Sequence, residues 1–479
     1  MEKDAIWGDV CRNLDTEDYL GDDYCILHNP NPKKDPKEFT DIIEARLKSN
    51  HCYYQAVVFP VPFETNHVDF KLPLNFFHAV FYSYIDILDG QITNIYLDYA
   101  TFHGSVRFYH LNFSQSATFT FSHFKNNASF MGSWFERSDF NHAVFDHKAE
   151  FNSWAKFRDD VNFSNVKFQG EVDFNSCTFE KAVRFENSEF SDAHVTSFKR
   201  SEFQSDVIFD GAAINCYFDF EGDSSRRVFV KNASMSMRNT RVNKPEHLTF
   251  HTVDLRPNWF VNVDSRKFVF TDVKWINIDW WREKGFWNNF RNLVHSTLLG
   301  LRRFSTGKGE EANENIAEEL KSLENRGFDL QRKRLLAIAC RQLAVNAEDN
   351  NQYDDASKFR FMAMETRRLD HGGWRRVLNL YWIYKWTSGY GESWRRAALV
   401  LFGVWFLFGI FYWQLGSFNS EHLFDLPQSL GYSSLVMLLQ KPEPRPASNF
   451  TFTLYILETI FAPLQVALLA LAIRRKFMR

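Results

Sequence analysis

Residues 451–473 read TFTLYILETIFAPLQVALLALAI, and Glu458 is the one charged residue in that run. A carboxylate in a stretch this apolar has two outcomes. It faces a partner helix or a water-filled space, or it lies close enough to the end of the run to be solvated. Pro463 sits about one helical turn further on and removes a backbone donor there, and Gln465 is the other polar group of the run. Tyr432 and Ser433 stand in a second, shorter apolar stretch, SLGYSSLVMLL. Glu458, Gln465, Pro463, Tyr432 and Ser433 are the candidate membrane or pore site. Other chemistry is absent from the sequence. There is no Gly-rich phosphate loop, nucleophile elbow or HExxH, and the GKGE at 307–310 lacks the leading glycine and the Ser/Thr of a P-loop. Cys11, Cys25, Cys52, Cys177, Cys216 and Cys340 are scattered without a CxxC pair. They read as reduced thiols in a cytosolic setting and give no zinc site. His103, His110, His123, His142, His147 and His194 fall on turn positions of a repeat and read as surface residues. No catalytic, metal-ligating or cofactor-binding residue is expected, and an enzyme is not.

The elements that must position Glu458 are apolar helices. Residues 397–415, AALVLFGVWFLFGIFYWQL, carry no charge and are long enough to cross a bilayer, as are residues 451–473. Arg375, Arg376, Lys385, Arg395 and Arg396 precede the first run; Arg474, Arg475, Lys476 and Arg479 follow the second. The positive-inside rule then puts both termini in the cytoplasm, with lipid as a partner of residues 397–479. The segment 428–440 between the spans is too short to cross and is expected to be re-entrant or interfacial, with Tyr432 preceding its helix. The start of the chain, MEKDAIWGDVCRNLDTED, is acidic and lacks the apolar core of a cleavable signal. Residues 282–304 predict an amphipathic helix, either capping what precedes it or lying on the membrane. Residues 305–396 predict a helical connector. Leu335, Leu336, Ile338, Leu343 and Val345 mark one helix, and Ala356, Phe359, Phe361 and Met364 a second.

The rest of the chain is dominated by phenylalanine, with 51 in 479 residues against a net charge of only −3. That charge predicts no polyelectrolyte partner. The phenylalanines, with Ile87, Ile92 and Leu97 in their place between Phe81 and Phe102, recur every five or six residues from Phe70 to Phe209, with one irregular step before Phe198. Most have a small or β-branched residue two places before them, as in ATFTFSHFKNNASFMGSWF with Phe119, Phe124, Phe130 and Phe135. A short fixed period means a solenoid whose units bury their apolar side by stacking. Four steps close a square coil of about 21 or 22 residues. Phe102, Phe124, Phe145, Phe168 and Phe190 would stack as one column. The repeat is regular to about residue 215 and degenerate to 281, through Phe250, Leu255, Phe270, Trp275 and Trp280. The stretch between, EGDSSRRVFVKNASMSMRNTRVNKPEH, is a distorted coil or a loop. Residues 1–67 lack the repeat and are expected to cap its first coil.

This pattern resembles the pentapeptide-repeat proteins, in the variant with Phe at the centre of the repeat. The resemblance implies a right-handed quadrilateral β-helix over residues 68–281. A second resemblance covers WTSGYGE (Trp386–Glu392) and LETIFAPLQVALLALAIRRKF. Bacterial membrane proteins join such repeats to a helical hairpin, a YGE stretch and a two-span, potassium-channel-like tail, which implies the bacterial inner membrane. The tail departs from a potassium channel at one point. The short helix is followed by LLQKPEPRP rather than a Gly-Tyr-Gly-like filter.

Three functions are carried forward. One is a membrane-anchored scaffold that displays the β-helix to a protein partner. Another is a subunit of a homo-oligomeric, channel-like pore whose β-helix senses or assembles. The last is a mimic of DNA that binds a topoisomerase, as some soluble pentapeptide-repeat proteins do. Arg107, Lys125, Arg158, Lys167, Arg184, Lys199 and Arg200 interrupt the acidic faces, so a nucleic-acid-like surface and a nucleic-acid partner are disfavoured.

Overall fold

Burying one large side chain per short step requires that the backbone turn after each step and that its polar groups pair with the next coil. A computed structural model of the chain describes residues 16–19, 22–49, 51–191, 194–223, 227–230, 232–278, 314–328, 331–370, 380–418 and 425–477. It separates into two compact units, Met1–Asn277 and Ile278–Arg479.

The first unit is a parallel β-solenoid running from Val58 to Trp275. One face is a nine-stranded parallel sheet, from Val58–Phe59 through Thr101–Phe102, His123–Phe124, Val144–Phe145, Lys167–Phe168 and Glu189–Phe190 to Arg241–Val242. Behind it the rings of Phe102, Phe124, Phe145, Phe168 and Phe190 stack in one column, with centroids 4.7, 4.5, 5.3 and 5.1 Å apart. Phe119, Phe130 and Phe135 each belong to a further stack, on Phe140 at 4.5 Å, Phe151 at 4.9 Å and Phe157 at 4.9 Å. One coil therefore feeds four internal columns, and none of these rings is more than 1% exposed. The small inward positions are filled by Ala, Val, Ser or Cys, as at Ala143, Val172, Ser188 and Cys177. The buried hydroxyls of Ser122, Ser133 and Ser188 donate to the carbonyls of Phe119, Phe108 and Phe163, so these three are not stranded among the rings.

Three details depart from the repeat pattern alone. The ladder starts at Val58, because Phe59 stacks on Phe81 at 4.5 Å and Phe63 opens a strand paired with Ile85. Val68, assigned to an inward position, is exposed. The irregular stretch is a distorted coil, since its strands Ser234–Ser236 and Arg241–Val242 continue the ladders. At the start, helix α1 (Pro36–Lys48) is N-capped by Asp35, and its Phe39 meets Phe59 edge-on at 5.6 Å, which covers the first coil. Cys52, Cys177, Cys216 and Cys340 are buried thiols outside any disulfide, whereas Cys25 is disulfide-bonded, against the expectation of reduced thiols throughout.

The described helices of the second unit are α2 (Glu314–Asn325), α3 (Arg332–Asp349), α4 (Tyr353–Asp370), α5 (Leu380–Ser388), α6 (Trp394–Leu415), α7 (Leu426–Met437) and α8 (Asn449–Phe477). The expected amphipathic helix at 282–304 lies outside the described residues. Helices α3 and α4 form the hairpin, with Leu336, Cys340 and Leu343 of α3 and Ala356, Phe359 and Phe361 of α4 buried. Ile338 and Val345, two of the residues that marked the helix, are exposed; Ala339 and Ala347 take the inner face, which lets the two helices approach closely. Helices α6 and α8 are both long and apolar enough to cross a membrane. Their outer faces, including Phe402, Phe406, Ile460, Phe461 and Leu464, are bare apolar surface, unlike the core helices of a soluble protein. Helix α7 lies against both. It starts where Gln428 accepts a hydrogen bond from the Asp425 amide at 3.2 Å, so Tyr432 lies inside the short helix rather than before it.

Candidate functional site

Helices α6, α7 and α8 meet around Glu458, which is completely buried. It is therefore not the solvated residue near a helix end that the sequence left open. Ser433 of α7 donates to Glu458 Oε1 at 2.5 Å, and its hydroxyl also lies 3.2 Å from the carbonyl of Trp405 on α6. Trp405 in turn donates its indole N–H to Ser434 Oγ at 2.9 Å and to the Leu430 carbonyl at 3.2 Å, tying α6 to α7. Tyr412 lies beside Glu458. The Tyr412 hydroxyl and Glu458 Oε2 are nevertheless each buried without a hydrogen bond of normal length, as is the hydroxyl of Ser429. The Tyr412 and Tyr432 rings meet edge-on at 5.0 Å. Glu458 has no ion pair among the described residues. Tyr432, Ser433 and Glu458 are thus brought together. Gln465 is not part of this cluster, and Pro463 lies within α8, between the two. Tyr412 and Trp405 were missed, because each looks like one more aromatic in a run already rich in them.

Gln465 belongs to a second polar cluster. Its side-chain amide donates to the carbonyls of Thr387 and Ala397, at 3.0 and 2.9 Å, bridging the break between α5 and α6. That break is the GYGE turn, where Gly389, Tyr390 and Gly391 adopt positive φ values of 58°, 61° and 74°. A Cβ on Gly391 would come within 2.6 Å of Tyr384 Oη, so the close approach needs glycine. Arg475, at the end of α8, donates to the Tyr390 carbonyl at 3.0 Å and to Glu392 Oε1 at 2.9 Å, and Glu392 also accepts from Ser357 of α4. Tyr390 donates to Glu365 at 2.8 Å, and Glu365 also receives Arg368 and Lys385 at 2.7 and 2.8 Å. Burial alone would raise the Glu365 carboxyl, but Arg368 and Lys385 hold it down at about 2. Burial and the adjacent Glu365 push the Tyr390 phenol up. These contacts make the turn a junction between the hairpin and both membrane-length helices. The WTSGYGE stretch was the sequence signal for it.

On the solenoid, one outer edge differs from the others. At equivalent turn positions of successive coils stand Ala56, His78, Tyr99, Phe121, His142, Asn165, Asn187 and Gly211, all at φ between 54° and 73°. Asn and Gly suit that left-handed conformation; a tyrosine or phenylalanine does not. Four consecutive coils nonetheless place rings there, stacked His78 on Tyr99 at 4.9 Å, Tyr99 on Phe121 at 5.0 Å and Phe121 on His142 at 4.4 Å. Tyr99 and Phe121 are each 45% exposed. Elsewhere the surface alternates in charge, with Arg107 on Asp86, Lys148 on Glu150 and Glu171, and Lys199 on Glu221.

A family model described as pentapeptide repeats (9 copies) matches residues 155–196, within the regular part of the solenoid. No curated protein and no solved structure matches the chain. The chain therefore carries a pentapeptide-repeat β-solenoid with phenylalanine-filled columns, followed by helices of which two are long and apolar enough to cross a membrane.

Proposed function

We propose that this protein is a membrane-anchored scaffold whose β-solenoid displays a binding edge to a protein partner on the cytoplasmic side. The observation that carries the reading is the ladder His78–Tyr99–Phe121–His142. Two bulky aromatics there occupy a backbone conformation that disfavours them and keep nearly half their surface in water. An edge selected for stability alone would carry Asn or Gly, as the coils at Asn165, Asn187 and Gly211 do. Stacked rings hide their faces from one another and turn their edges outward, which suits contact with backbone carbonyls and acidic side chains of a protein. The bare apolar faces of α6 and α8 support the membrane anchor, and the basic residues flanking both helices support cytoplasmic termini. The alternating surface charge counts against the DNA-mimic reading.

The test is photocrosslinking of the full chain in its native membrane from a reactive residue placed at Thr120. A specific protein adduct is expected, and Tyr99→Asn with Phe121→Asn should abolish it. An adduct that survives the double substitution, or none at all, removes the reading.

The pore remains a second reading, favoured by one observation: the buried carboxylate of Glu458 between three helices, with one oxygen lacking a normal hydrogen bond. Two spans cannot enclose a pore alone, so it requires several copies of this chain. A monomer in detergent, or proteoliposomes that pass no ions, would end it; flux lost in Glu458→Ala would establish it.

A further inference from the structure

A buried carboxylate must be satisfied by hydrogen bonds and by a counter-charge, or it must not be charged. Around Glu458 no counter-charge is present among the described residues. The groups that face it are hydroxyls: Tyr412 from α6, Ser433 and Tyr432 from α7, with Tyr455 nearby on its own helix. Counting protons gives a second constraint. The Ser433 hydroxyl has one proton but stands within hydrogen-bond distance of two acceptors, Glu458 Oε1 and the Trp405 carbonyl. A proton on Glu458 resolves both problems. The carboxyl O–H is then donated to Ser433 Oγ, and the Ser433 proton passes on to the Trp405 carbonyl. Every proton in that chain has one acceptor, and no charge is left in the apolar interior. When the proton leaves, Ser433 and Tyr412 are the donors placed to turn toward the carboxylate, so that Ser433 gives up Trp405 and α7 loses one of its ties to α6.

We propose that Glu458, Ser433 and the Trp405 carbonyl form a proton-binding site within the α6–α7–α8 bundle, and that its occupancy sets how tightly α7 is held against α6. The ligand is the proton itself. The proposal rests on the reading of α6 and α8 as membrane helices only for its setting, because the hydrogen bonds run between groups of the chain itself.

The experiment is infrared difference spectroscopy of the full chain across a pH series, in proteoliposomes and in detergent, with carbonate extraction of native membranes alongside. A carboxylic-acid carbonyl band is expected that is lost in Glu458→Gln. In Ser433→Ala it should persist and move to higher frequency, since a hydrogen-bond acceptor is gone while the acid remains. Ser433→Ala also guards against misfolding of the Glu458 variant. Three results overturn the proposal: no band that Glu458→Gln removes at any pH, a band unmoved by Ser433→Ala, or a band lost on exchanging choline for sodium, which would mean a bound cation instead. If carbonate strips the chain from membranes while the band behaves as expected, the membrane reading fails and the proton site stands.

Discussion

At the scale of single residues, the same residue type has opposite meanings at neighbouring positions. Phe119, Phe124, Phe130 and Phe135 lie inside their columns, and Phe130→Ala should destabilise the solenoid by about 3–5 kcal/mol, read as a lowered unfolding midpoint. Phe121 lies two residues from Phe119 yet points outward in a left-handed turn. Replacing it and Tyr99 by Asn relieves strain of about 1 kcal/mol at each position and forfeits ring stacking of similar size. The same unfolding measurement should therefore stay within about 1 kcal/mol of wild type even though the crosslinked adduct is lost. The two kinds of phenylalanine were separable in the sequence only once coil register was known. The five-or-six spacing gave the inward set directly, because burial imposes that period. The outward ladder has no period that a Phe-rich background does not hide. Glu458 was legible as a lone charge in an apolar run. Tyr412 and Trp405 lie on another helix, and nothing in local sequence links them to it.

At the scale of elements, the GYGE junction decides how firmly the hairpin is tied to α6 and α8. Glu365 is held at about 2, below its ordinary 4.5, so it contributes stability above that ordinary value and loses it as pH falls through about 2. The hairpin should become more sensitive to acid-active proteases as pH drops across that window, with little change above it. Glu365→Gln should flatten the response and weaken the hairpin at neutral pH by about 3–5 kcal/mol, because Arg368 keeps its buried charge without a carboxylate. Gln465→Leu removes the two hydrogen bonds that span the α5–α6 break; the Ala397 carbonyl keeps its acceptor role within α6, but the Thr387 carbonyl, in the last turn of α5, loses its donor. A loss of about 1–3 kcal/mol is expected, visible as easier cleavage near Thr387. Here the sequence supplied the motif and the charged residues. It did not supply their pairing, which joins α4, α5 and the far end of α8 across more than eighty residues.

At the scale of the whole molecule, the proposed topology has a direct test. The described cysteines that are not disulfide-bonded are all buried, so an introduced exposed cysteine reports against a low background. Gln440→Cys, in the exposed loop between α7 and α8, should react with an impermeant maleimide from outside intact cells. Lys125→Cys on the solenoid should react only after the membrane is opened. The reverse pattern would invert the orientation, and equal labelling of both would remove the span. The solenoid's four ring columns have a further consequence. Each coil joins its neighbours through the same four faces, so removing residues 125–145 takes out one whole coil and rejoins every column ring to ring. The rod then shortens by about 4.8 Å and keeps its cross-section. Length is thus a separate, stepwise-adjustable property of this protein, like the graduations of a ruler. Variants differing only in coil number would show whether a partner reads the distance between two points on the rod or a single edge.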